Sequence, residues 1–466
     1  MARNTFFSAL GEGSNLLVFA LGFLLARGLG AQAFGQFAAA SAFVGLFRIL
    51  PDFGMSYAST LEIARDRSLA ARLASNLLGF QAALSLLTLV LCLAVAARLY
   101  DGLLLAAVGV LCVDLLLKAV KSTLRWLLKG FERFEAESLS LLFERGALLV
   151  CGALALRFDG GLRAIVLVFV GVRLVDTLGL LAYVHARLLP LRPAGDLRLW
   201  RELFVKGLPF AYAGAMVTAF FQVDQVMLER WRGAAETGWY KAPVLVLEGL
   251  ALVPRVFSFA FIPTMAALWA TAPETVAALY RRGLKYLLLL GLPIAAFGAL
   301  AAGPFLELLF GPAYARSGAA GRVLLPVCIF MFLSNFVETT LACIRRWRVI
   351  VLTSTAALLL NVGLNTLWIP RFGHVGAAWA TLATEGFYFL SGAVALHAAG
   401  LRATWMTLAW RPLAACAAFT AVLQWLLPQG LILASALASL AWIAATFALG
   451  VWDAKEREAL RAVLRR

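Results

Sequence analysis

The chain has 466 residues, of which 62% are hydrophobic and only 14% are charged. A soluble domain cannot bury that much apolar surface, so the composition excludes a soluble protein and predicts a polytopic membrane protein. The formal net charge of +16 would suggest nucleic-acid binding in a soluble protein. Here the basic residues fall mainly between apolar runs, and we expect no nucleic-acid partner.

Apolar segments of about 20 residues, the length that spans a bilayer as a helix, recur along the whole chain. In chain order these segments are 6–27, 33–57, 73–97, 102–123, 136–157, 163–186, 204–223, 239–265, 283–303, 321–343, 349–369, 375–398, 406–427 and 430–451. Their length and their lack of alternating polarity favour helices over a barrel. The sequence thus predicts an all-α membrane protein with about 14 transmembrane helices.

The distribution of basic residues predicts the orientation. With the N-terminus placed in the cytoplasm, most of the 41 Lys and Arg residues fall into the cytoplasmic connections and tails. Lys118, Lys121 and Arg125 are counted among these loop charges. An excess of positive charge on cytoplasmic loops is the usual pattern, so both termini are predicted to be cytoplasmic.

Four arginines fall within predicted spans instead: Arg48, Arg145, Arg173 and Arg255. Ionisable groups at such depth usually face a protein interior or a watery cavity, which makes them candidates for a functional site. Acidic residues at similar depth are Asp52, Asp114, Glu144, Asp176, Glu248, Glu338 and Glu385.

A short pattern occurs twice in the chain. GAQAFGQFAAA (30–40) aligns with GAAETGWYKAP (233–243), and the same shift places Pro51 on Pro254 and Asp52 on Arg255. Two repeats of about six helices would share one orientation and enclose a central cavity. We therefore predict two pseudosymmetric six-helix lobes, an N-terminal one at 1–186 and a C-terminal one at 204–398. A cytoplasmic linker at 187–203 joins them, and 399–466 adds helices 13 and 14 and a basic cytoplasmic tail.

Three stretches carry a family resemblance. ARGLGAQAFGQFAAASAFVGLFRILPDFGM (26–55), FFQVDQVMLERWRGAAETGWYKAP (220–243) and NVGLNTLWIPRFGHVGAAWAT (361–381) resemble signatures of the polysaccharide transporter family, the Wzx-type flippases. This family lies within the multidrug, oligosaccharidyl-lipid and polysaccharide exporter superfamily.

The resemblance implies a function. Wzx-type members move an undecaprenyl-diphosphate-linked oligosaccharide across the bacterial inner membrane by alternating access, for O-antigen, capsule or exopolysaccharide synthesis. It also implies a cationic central cavity, a polymerase and a chain-length regulator as partners, and coupling to a proton or sodium gradient or to the membrane potential. No enzyme activity, cofactor or metal is expected, because translocation requires no covalent step.

The candidate site residues leave alternatives open. Arg48 and Asp52 are four residues apart and would form a local ion pair on one helix face. Alternatively, Arg48 faces the cavity and contacts the diphosphate or sugar, while Asp52 orients it or gates the inner mouth. Arg173 and Asp176, three residues apart, pose the same choice. The predicted roles of Arg255 are substrate contact or pairing with Asp52.

The other candidates have weaker signals. Arg145 is predicted to bridge to a neighbouring helix or to contact substrate. Arg27 closes the first helix, where a long side chain reaches the interface cheaply, but it matches the family signature. Asp224 with Gln222 is a candidate for binding a coupling cation, and Glu248 is a further candidate for gating or ion coupling.

Three competing functions follow from the same sequence. A lipid II-type flippase of the same superfamily would have the same fold and a similar cavity. A multidrug/cation antiporter needs a cavity rich in acidic residues, which four midspan arginines disfavour. A polysaccharide polymerase or ligase needs a large periplasmic loop, and no outer connection is long enough.

Overall fold

The computed structural model describes residues 7, 10–11, 13–56, 59, 62–63, 66–454 and 456–458. Over these residues the fold is α-helical and has no β-strand, which confirms the predicted all-α class. The basic tail predicted beyond residue 458 lies outside the described residues. The helices are α1 (Asn15–Leu46), α2 (Ala70–Leu99), α3 (Gly102–Gly130), α4 (Phe134–Arg157), α5 (Gly161–Arg187), α6 (Leu197–Arg232), α7 (Ala234–Leu250), α8 (Leu252–Leu268), α9 (Pro273–Phe310), α10 (Ser317–Leu324), α11 (Val327–Cys343), α12 (Trp347–Ala398), α13 (Trp405–Leu426) and α14 (Leu431–Ala448).

The number of spans agrees with the sequence. In the described part of the chain, 11 helical elements are long and apolar enough to cross a membrane, and the bent pair within α6 makes up to 12. Two of these elements contain a glycine with non-helical backbone, α1 at Gly30 and α12 at Gly373. If α1 and α12 are each counted as two helices, the upper count of 12 spans becomes 14, which is the predicted number. The chain is therefore a multi-pass membrane protein.

The two copies of the repeat share one backbone break. Gly30 has φ 72° and ψ 171°, and Gly233, its equivalent in the second copy, has φ 85° and ψ 175°. This region of backbone space is open essentially to glycine alone. The backbone conformation therefore explains why each copy of the pattern begins with glycine. In both places this glycine separates two helices.

The same two copies also contact each other. A Cβ on Gly35 would lie 1.8 Å from the carbonyl oxygen of Ala234, and a Cβ on Gly238 would lie 1.9 Å from that of Ala31. The contact is reciprocal, because the 30–40 and 233–243 alignment pairs Gly35 with Gly238 and Ala31 with Ala234. Only glycine permits this approach of backbone to backbone, and the reciprocity is that of a local two-fold pseudosymmetry.

Contacts between residues divide the chain into two compact units, Met1–Lys241 and Ala242–Arg466. The lobes at 1–186 and 204–398 were deduced from the repeat, and their boundaries stay a prediction.

In the first unit, α3 packs against α1, α2 and α5. Its first half, from Leu104 to Leu115, belongs to one apolar core with α1 and α2. Its second half, from Leu124 to Leu128, belongs to another core with α2 and α5. The charged residues of α3 begin at the end of the first core and continue beside the second.

The predicted linker is docked on the start of α2. The amide of Ala194 donates to the carbonyl of Ser75 over 3.0 Å, and the amide of Asp196 donates to Asn76 Oδ1 over 2.9 Å. The Trp200 ring stacks on a ring of α2 with centroids 4.9 Å apart. The Asp196 carboxylate also accepts from the amides of the first turn of α6 and so caps that helix.

In the second unit, the long helix α9 packs against α10, α11 and α13, and α13 pairs with α14. The chain beyond α14 returns to α9, where Glu456 accepts hydrogen bonds from Lys285 and Tyr286, each 2.6 Å long. Glu456 lies outside the spans. Its partial burial alone would raise the pKa, but these two hydrogen bonds hold the pKa of Glu456 below its usual value.

Candidate functional site: charged residues inside the first unit

The helix that carries Arg48 ends earlier than the sequence suggests. The predicted span runs to residue 57, but α1 ends at Leu46, and residues 47–54 form turns. Pro51 cannot donate an intrahelical hydrogen bond, and Gly54 adopts a φ of 70°, so this stretch does not continue the helix. Arg48 is exposed in these turns, whereas Pro51 is buried.

Asp52 does not pair with Arg48. The carboxylate of Asp52 accepts hydrogen bonds from the hydroxyl of Ser56 and from Gln81 Nε2, the latter over 2.7 Å. Thr123 of α3 donates to Gln81 Oε1 over 2.8 Å and also contacts the Ser56 hydroxyl over 2.9 Å. Asp52 is thus bound by uncharged side chains, in a polar cluster that joins the turns after α1 to α2 and α3.

A second, charged cluster joins α3, α4 and α5. We call it the ion network. Its residues occupy one face of α3, because they follow the helical spacing i, i+4, i+7 and i+11, and they meet acidic and basic side chains of α4 and α5. Its members are Asp114, Lys118, Lys121, Arg125, Glu144, Arg173 and Asp176.

Glu144 of α4 is the centre of the ion network. Its carboxylate lies 2.7 Å from Lys121 Nζ, 2.8 Å from Arg125 Nη2 and 2.9 Å from Arg173 Nε. Arg173 also contacts the carboxylate of Asp114. All these residues lie within membrane-spanning helices, where an unpaired charge is expensive, and the pairing provides each with a partner.

Asp176 closes the other side of the ion network. Its carboxylate lies 3.2 Å from Lys121 Nζ and 3.3 Å from Arg125 Nη2, and it accepts a hydrogen bond from the hydroxyl of Ser140 over 2.8 Å. Arg173 and Asp176 therefore do not form the local pair that their spacing allowed. Each pairs with residues of the neighbouring helices instead.

The basic residues of α3 were not recognised as a cluster from the sequence. Lys118, Lys121 and Arg125 were counted with the cytoplasmic charges, and all three lie within α3, which continues beyond the predicted end of the span at residue 123. Lys121 is 3% exposed. The recurrence of Asp114, Lys118, Lys121 and Arg125 on one helix face was the signal that could have revealed the ion network.

Lys118 differs from the other members of the ion network. Its ammonium lies 3.0 Å from the Asp114 carboxylate, yet 44% of the Lys118 side chain is exposed. Asp114 is already paired with Arg173. Lys118 is therefore the accessible cation of the ion network, and its carboxylate partner is also neutralised by Arg173.

Arg48 lies near Lys118. Phe47, the residue before Arg48, packs against the apolar core that includes Leu111 and Leu115 of α3. Lys118 lies one turn beyond Leu115, so Arg48 and Lys118 adjoin the same apolar core. Among the residues that the structure describes, Arg48 has no ion-pair partner. Two exposed cations thus share one region of the first unit, and a cation without a partner attracts an anionic ligand.

The remaining arginine candidates are separate from this pair. The Arg145 guanidinium donates to the carbonyl of Gly11, 2.9 Å away, and to the hydroxyl of Ser14, so it ties α4 to the residues before α1. Arg27 is exposed in α1 three residues before its break. Arg255 is exposed in α8, which belongs to the second unit, and follows the buried Pro254.

The structure also shows where the acidic candidates for ion coupling lie. Asp224 is 6% exposed and accepts hydrogen bonds from the hydroxyl of Tyr240 and from the amide of Gln225, the latter over 2.8 Å. The binding of a coupling cation by Asp224 with Gln222 stays a prediction. Glu248 is half-buried in α7. In the described ranges, no group of three or more His, Cys, Asp or Glu side chains is arranged to hold a metal ion.

Comparison with known proteins identifies the family. The family of polysaccharide biosynthesis proteins matches residues 1–269, which is more than half of the chain. The chain belongs to this family. No curated protein sequence matches it.

The fold of this polysaccharide biosynthesis protein is similar to that of several solved transporters. A structure of the lipid II flippase MurJ in an inward closed conformation matches with a TM-score of 0.78 at 10% identity, over 95% of this chain and 98% of that one. An inward-facing multidrug resistance MATE family transporter of the MOP superfamily matches with a TM-score of 0.65 at 14% identity, over 83% and 95%. A MOP superfamily transporter from Pyrococcus furiosus, described as having a binding pocket of reversed polarity, matches with a TM-score of 0.53 at 16% identity, over 86% and 96%. These likenesses show that the chain shares the fold of these transporters.

Proposed function

We propose that this polysaccharide biosynthesis protein is a flippase for an undecaprenyl-diphosphate-linked oligosaccharide. It moves this lipid from the cytoplasmic to the periplasmic leaflet of the bacterial inner membrane, with both termini cytoplasmic, for O-antigen, capsule or exopolysaccharide synthesis. The family match and the fold of flippases and transporters support this proposal. A polymerase and a chain-length regulator are the expected partners, and an ion gradient or the membrane potential is the expected energy source.

The observation that carries the proposal is Arg48, an exposed arginine that adjoins the same apolar core as Lys118 and has no ion-pair partner among the described residues. In a membrane protein such a charge is costly and is retained where it faces a watery pathway. A diphosphate is the complementary ligand, because a guanidinium binds phosphate oxygens with two parallel hydrogen bonds.

The physical task is to carry a charged head group through a hydrocarbon layer about 30 Å thick. The barrier is the loss of hydration of the diphosphate and glycan. Arg48 and Lys118 replace part of that hydration, while the polyprenyl chain remains in the bilayer. Arg255 of the second unit, which is exposed in α8, stays a separate predicted substrate contact. Alternating access then avoids a continuous leak.

The ion network has a different role in this proposal. Arg173 and Asp176 are occupied by partners on neighbouring helices, so we assign them to holding α3, α4 and α5 together. Asp114 has two basic partners, Arg173 and Lys118. Lys118 can therefore leave Asp114 and contact an anion without leaving a buried carboxylate unpaired.

A lipid II-type flippase is the second candidate, and the similarity to MurJ over 95% of the chain favours it. Both substrates contain a diphosphate on a polyprenyl chain, so the same cations would serve either lipid. A cation antiporter is disfavoured, because the acidic residues of the ion network are already neutralised by lysines and arginines.

The test in cells compares Arg48→Ala, Lys118→Ala and Arg255→Ala with Arg98→Ala, an exposed arginine at the end of α2. Surface polysaccharide is measured at equal protein levels in a strain that lacks the native gene. We expect a loss of about tenfold or more for each of the three, since one charged hydrogen bond contributes about 1.5–3 kcal/mol. Full polysaccharide in all three variants would overturn the assignment.

A further inference from the structure

A crevice opens between α4 and α5 at the end of these helices that adjoins the α3–α4 turn. Its volume is about 680 Å³, within the range of roughly 300–1,000 Å³ that small-molecule sites have. It is lined by Glu132, Arg133, Glu135, Ala136, Leu139, Ser140, Phe143, Val175, Asp176, Gly179, Leu180 and Tyr183. The proposed flippase activity assigns no role to it.

The walls of the crevice change character along its length. Its upper part is apolar, and Leu139, Phe143 and Val175 are exposed there to the extent of 53%, 49% and 58%. In a membrane helix, such exposed side chains contact lipid chains. Phe143 lies nine residues after the start of α4 at Phe134, so the crevice extends about 14 Å along the helix.

The lower end of the crevice is charged. Glu132, Arg133 and Glu135 lie in or next to the turn that precedes α4 and are exposed. Tyr183, near the end of α5, is on the same rim. Carboxylates and a guanidinium side by side match a head group that contains both an ammonium and a phosphate. The N-terminus of α4, which carries partial positive charge, is at the same level and also favours a phosphate.

The middle of the crevice is polar. Ser140 and Asp176 line it, and the Ser140 hydroxyl donates a hydrogen bond to the Asp176 carboxylate over 2.8 Å. The same hydroxyl accepts a hydrogen bond from Arg125 over 3.0 Å. Ser140 lies six residues into α4, about 9 Å from its start. This part of the wall is therefore paired within the protein, and it connects the crevice to the ion network.

On the α5 side, the wall of the crevice has a gap at Gly179, which we call the notch. A Cβ at this position would meet no atom within 4 Å, so the space in front of Gly179 is open. An acyl chain fits into such a notch between Phe143 and Val175, because the glycine removes the side chain that would fill it.

We propose that the α4–α5 crevice is a binding site for a phospholipid with a primary ammonium head group, such as phosphatidylethanolamine. In this arrangement Arg133 binds the phosphate, Glu132 and Glu135 accept hydrogen bonds from the ammonium, and the acyl chain lies along Leu139, Phe143 and Val175. With the orientation proposed above, the lipid belongs to the cytoplasmic leaflet. Because Ser140 and Asp176 line the same crevice, this arrangement places a structural lipid next to the ion network.

The test uses the full-length protein purified from vesicles that contain phosphatidylethanolamine and phosphatidylglycerol, with retained lipid counted by native mass spectrometry. Two variants act on different parts of the site: Gly179→Phe fills the notch, and Arg133→Glu inverts the charge that binds phosphate. Gly171→Phe is the matched control, because Gly171 is an exposed glycine of the same helix, open in the same way, and does not line the crevice.

We expect one phosphatidylethanolamine per wild-type chain, with occupancy reduced about tenfold in Gly179→Phe and in Arg133→Glu and unchanged in Gly171→Phe. Vesicles in which phosphatidylcholine replaces phosphatidylethanolamine should show no retained lipid, because a quaternary ammonium cannot donate hydrogen bonds to carboxylates. Equal occupancy in all four proteins would overturn the proposal. So would selective retention of phosphatidylglycerol, phosphatidylcholine or a polyprenyl lipid. Arg133→Glu changes an exposed residue before α4, so it remains informative if Gly179→Phe does not fold.

Discussion

The substitution Glu144→Gln tests whether the ion network holds α3, α4 and α5 together. Glutamine has nearly the same size as glutamate but carries no charge, so the packing is kept and the electrostatics change. The Glu144 carboxylate has three basic partners at 2.7–2.9 Å, and its side chain is 10% exposed. After the substitution, four basic side chains of the ion network share the two carboxylates of Asp114 and Asp176.

The cost follows from the burial of these charges. Removing one partner of a buried ion pair typically destabilises a protein by about 3–5 kcal/mol, because the charge that remains is left uncompensated. Asp114 and Asp176 still neutralise part of the network, which places the expected loss near the lower limit, about 3 kcal/mol. That corresponds to roughly a hundredfold change in the equilibrium between folded and unfolded protein.

The assay is the loss of the monodisperse peak in size-exclusion chromatography after heating, measured for detergent-purified protein. Glu307→Gln is the control, since Glu307 is exposed near the end of α9. The double variant Glu144→Gln with Lys121→Met restores the charge balance, and we expect it to recover at least half of the lost stability. The reasoning is refuted if Glu144→Gln behaves like Glu307→Gln, or if the double variant loses the sum of both single losses.

Three further predictions concern the turns, the linker and the repeat. Gly35→Ala should destabilise the protein strongly or prevent folding, because the added Cβ would lie 1.8 Å from the Ala234 carbonyl oxygen. The control Gly171→Ala should be neutral, since its Cβ would have no atom within 4 Å, and the thermal stability of both variants is measured. Gln81→Leu should cost about 1–3 kcal/mol for each polar partner left without a hydrogen bond, Asp52 and Thr123, and stability unchanged from wild type would contradict the polar cluster. The Arg72 hydrogen bond, with the amides of α6, holds the pKa of Asp196 below its usual value, so its contribution is present above about pH 4 and is lost as the pH falls further. Asp196→Asn should therefore lower thermal stability slightly at pH 7 and by progressively less as the pH falls below 4, and a difference that does not shrink with falling pH would exclude the charge as its cause.

The fold was predictable from the sequence, because a chain that crosses the lipid bilayer must form apolar helices of about 20 residues. The length of the apolar runs gave the all-α class and the number of helices, and the repeat located the glycines at 30 and 233 that break the helices. The turns at 47–54 were missed, since hydropathy does not show that Pro51 and the positive φ of Gly54 end α1 early.

The charged residues were predicted less well, because a pattern along one helix does not reveal its neighbours. The spacing of Arg173 and Asp176 suggested a local pair, but the partners of Arg173 are on α3 and α4. Lys118 was counted with the cytoplasmic charges and became part of the candidate site only when the structure showed it exposed on α3 beside Asp114, which Arg173 already neutralises. Arg48 was selected by its depth alone, and the structure adds that Asp52 is engaged elsewhere.

The most direct measurement of the proposed function is translocation by the purified protein. It is reconstituted into vesicles that contain a fluorescent undecaprenyl-diphosphate oligosaccharide, and a quencher that does not cross the membrane reports the fraction exposed outside. Wild-type protein and Arg98→Ala should equilibrate the lipid between leaflets, while Arg48→Ala and Lys118→Ala should be slower by about tenfold or more. If the wild-type vesicles exchange this lipid no faster than vesicles without protein, or if Arg48→Ala and Lys118→Ala match the wild type, the account is contradicted.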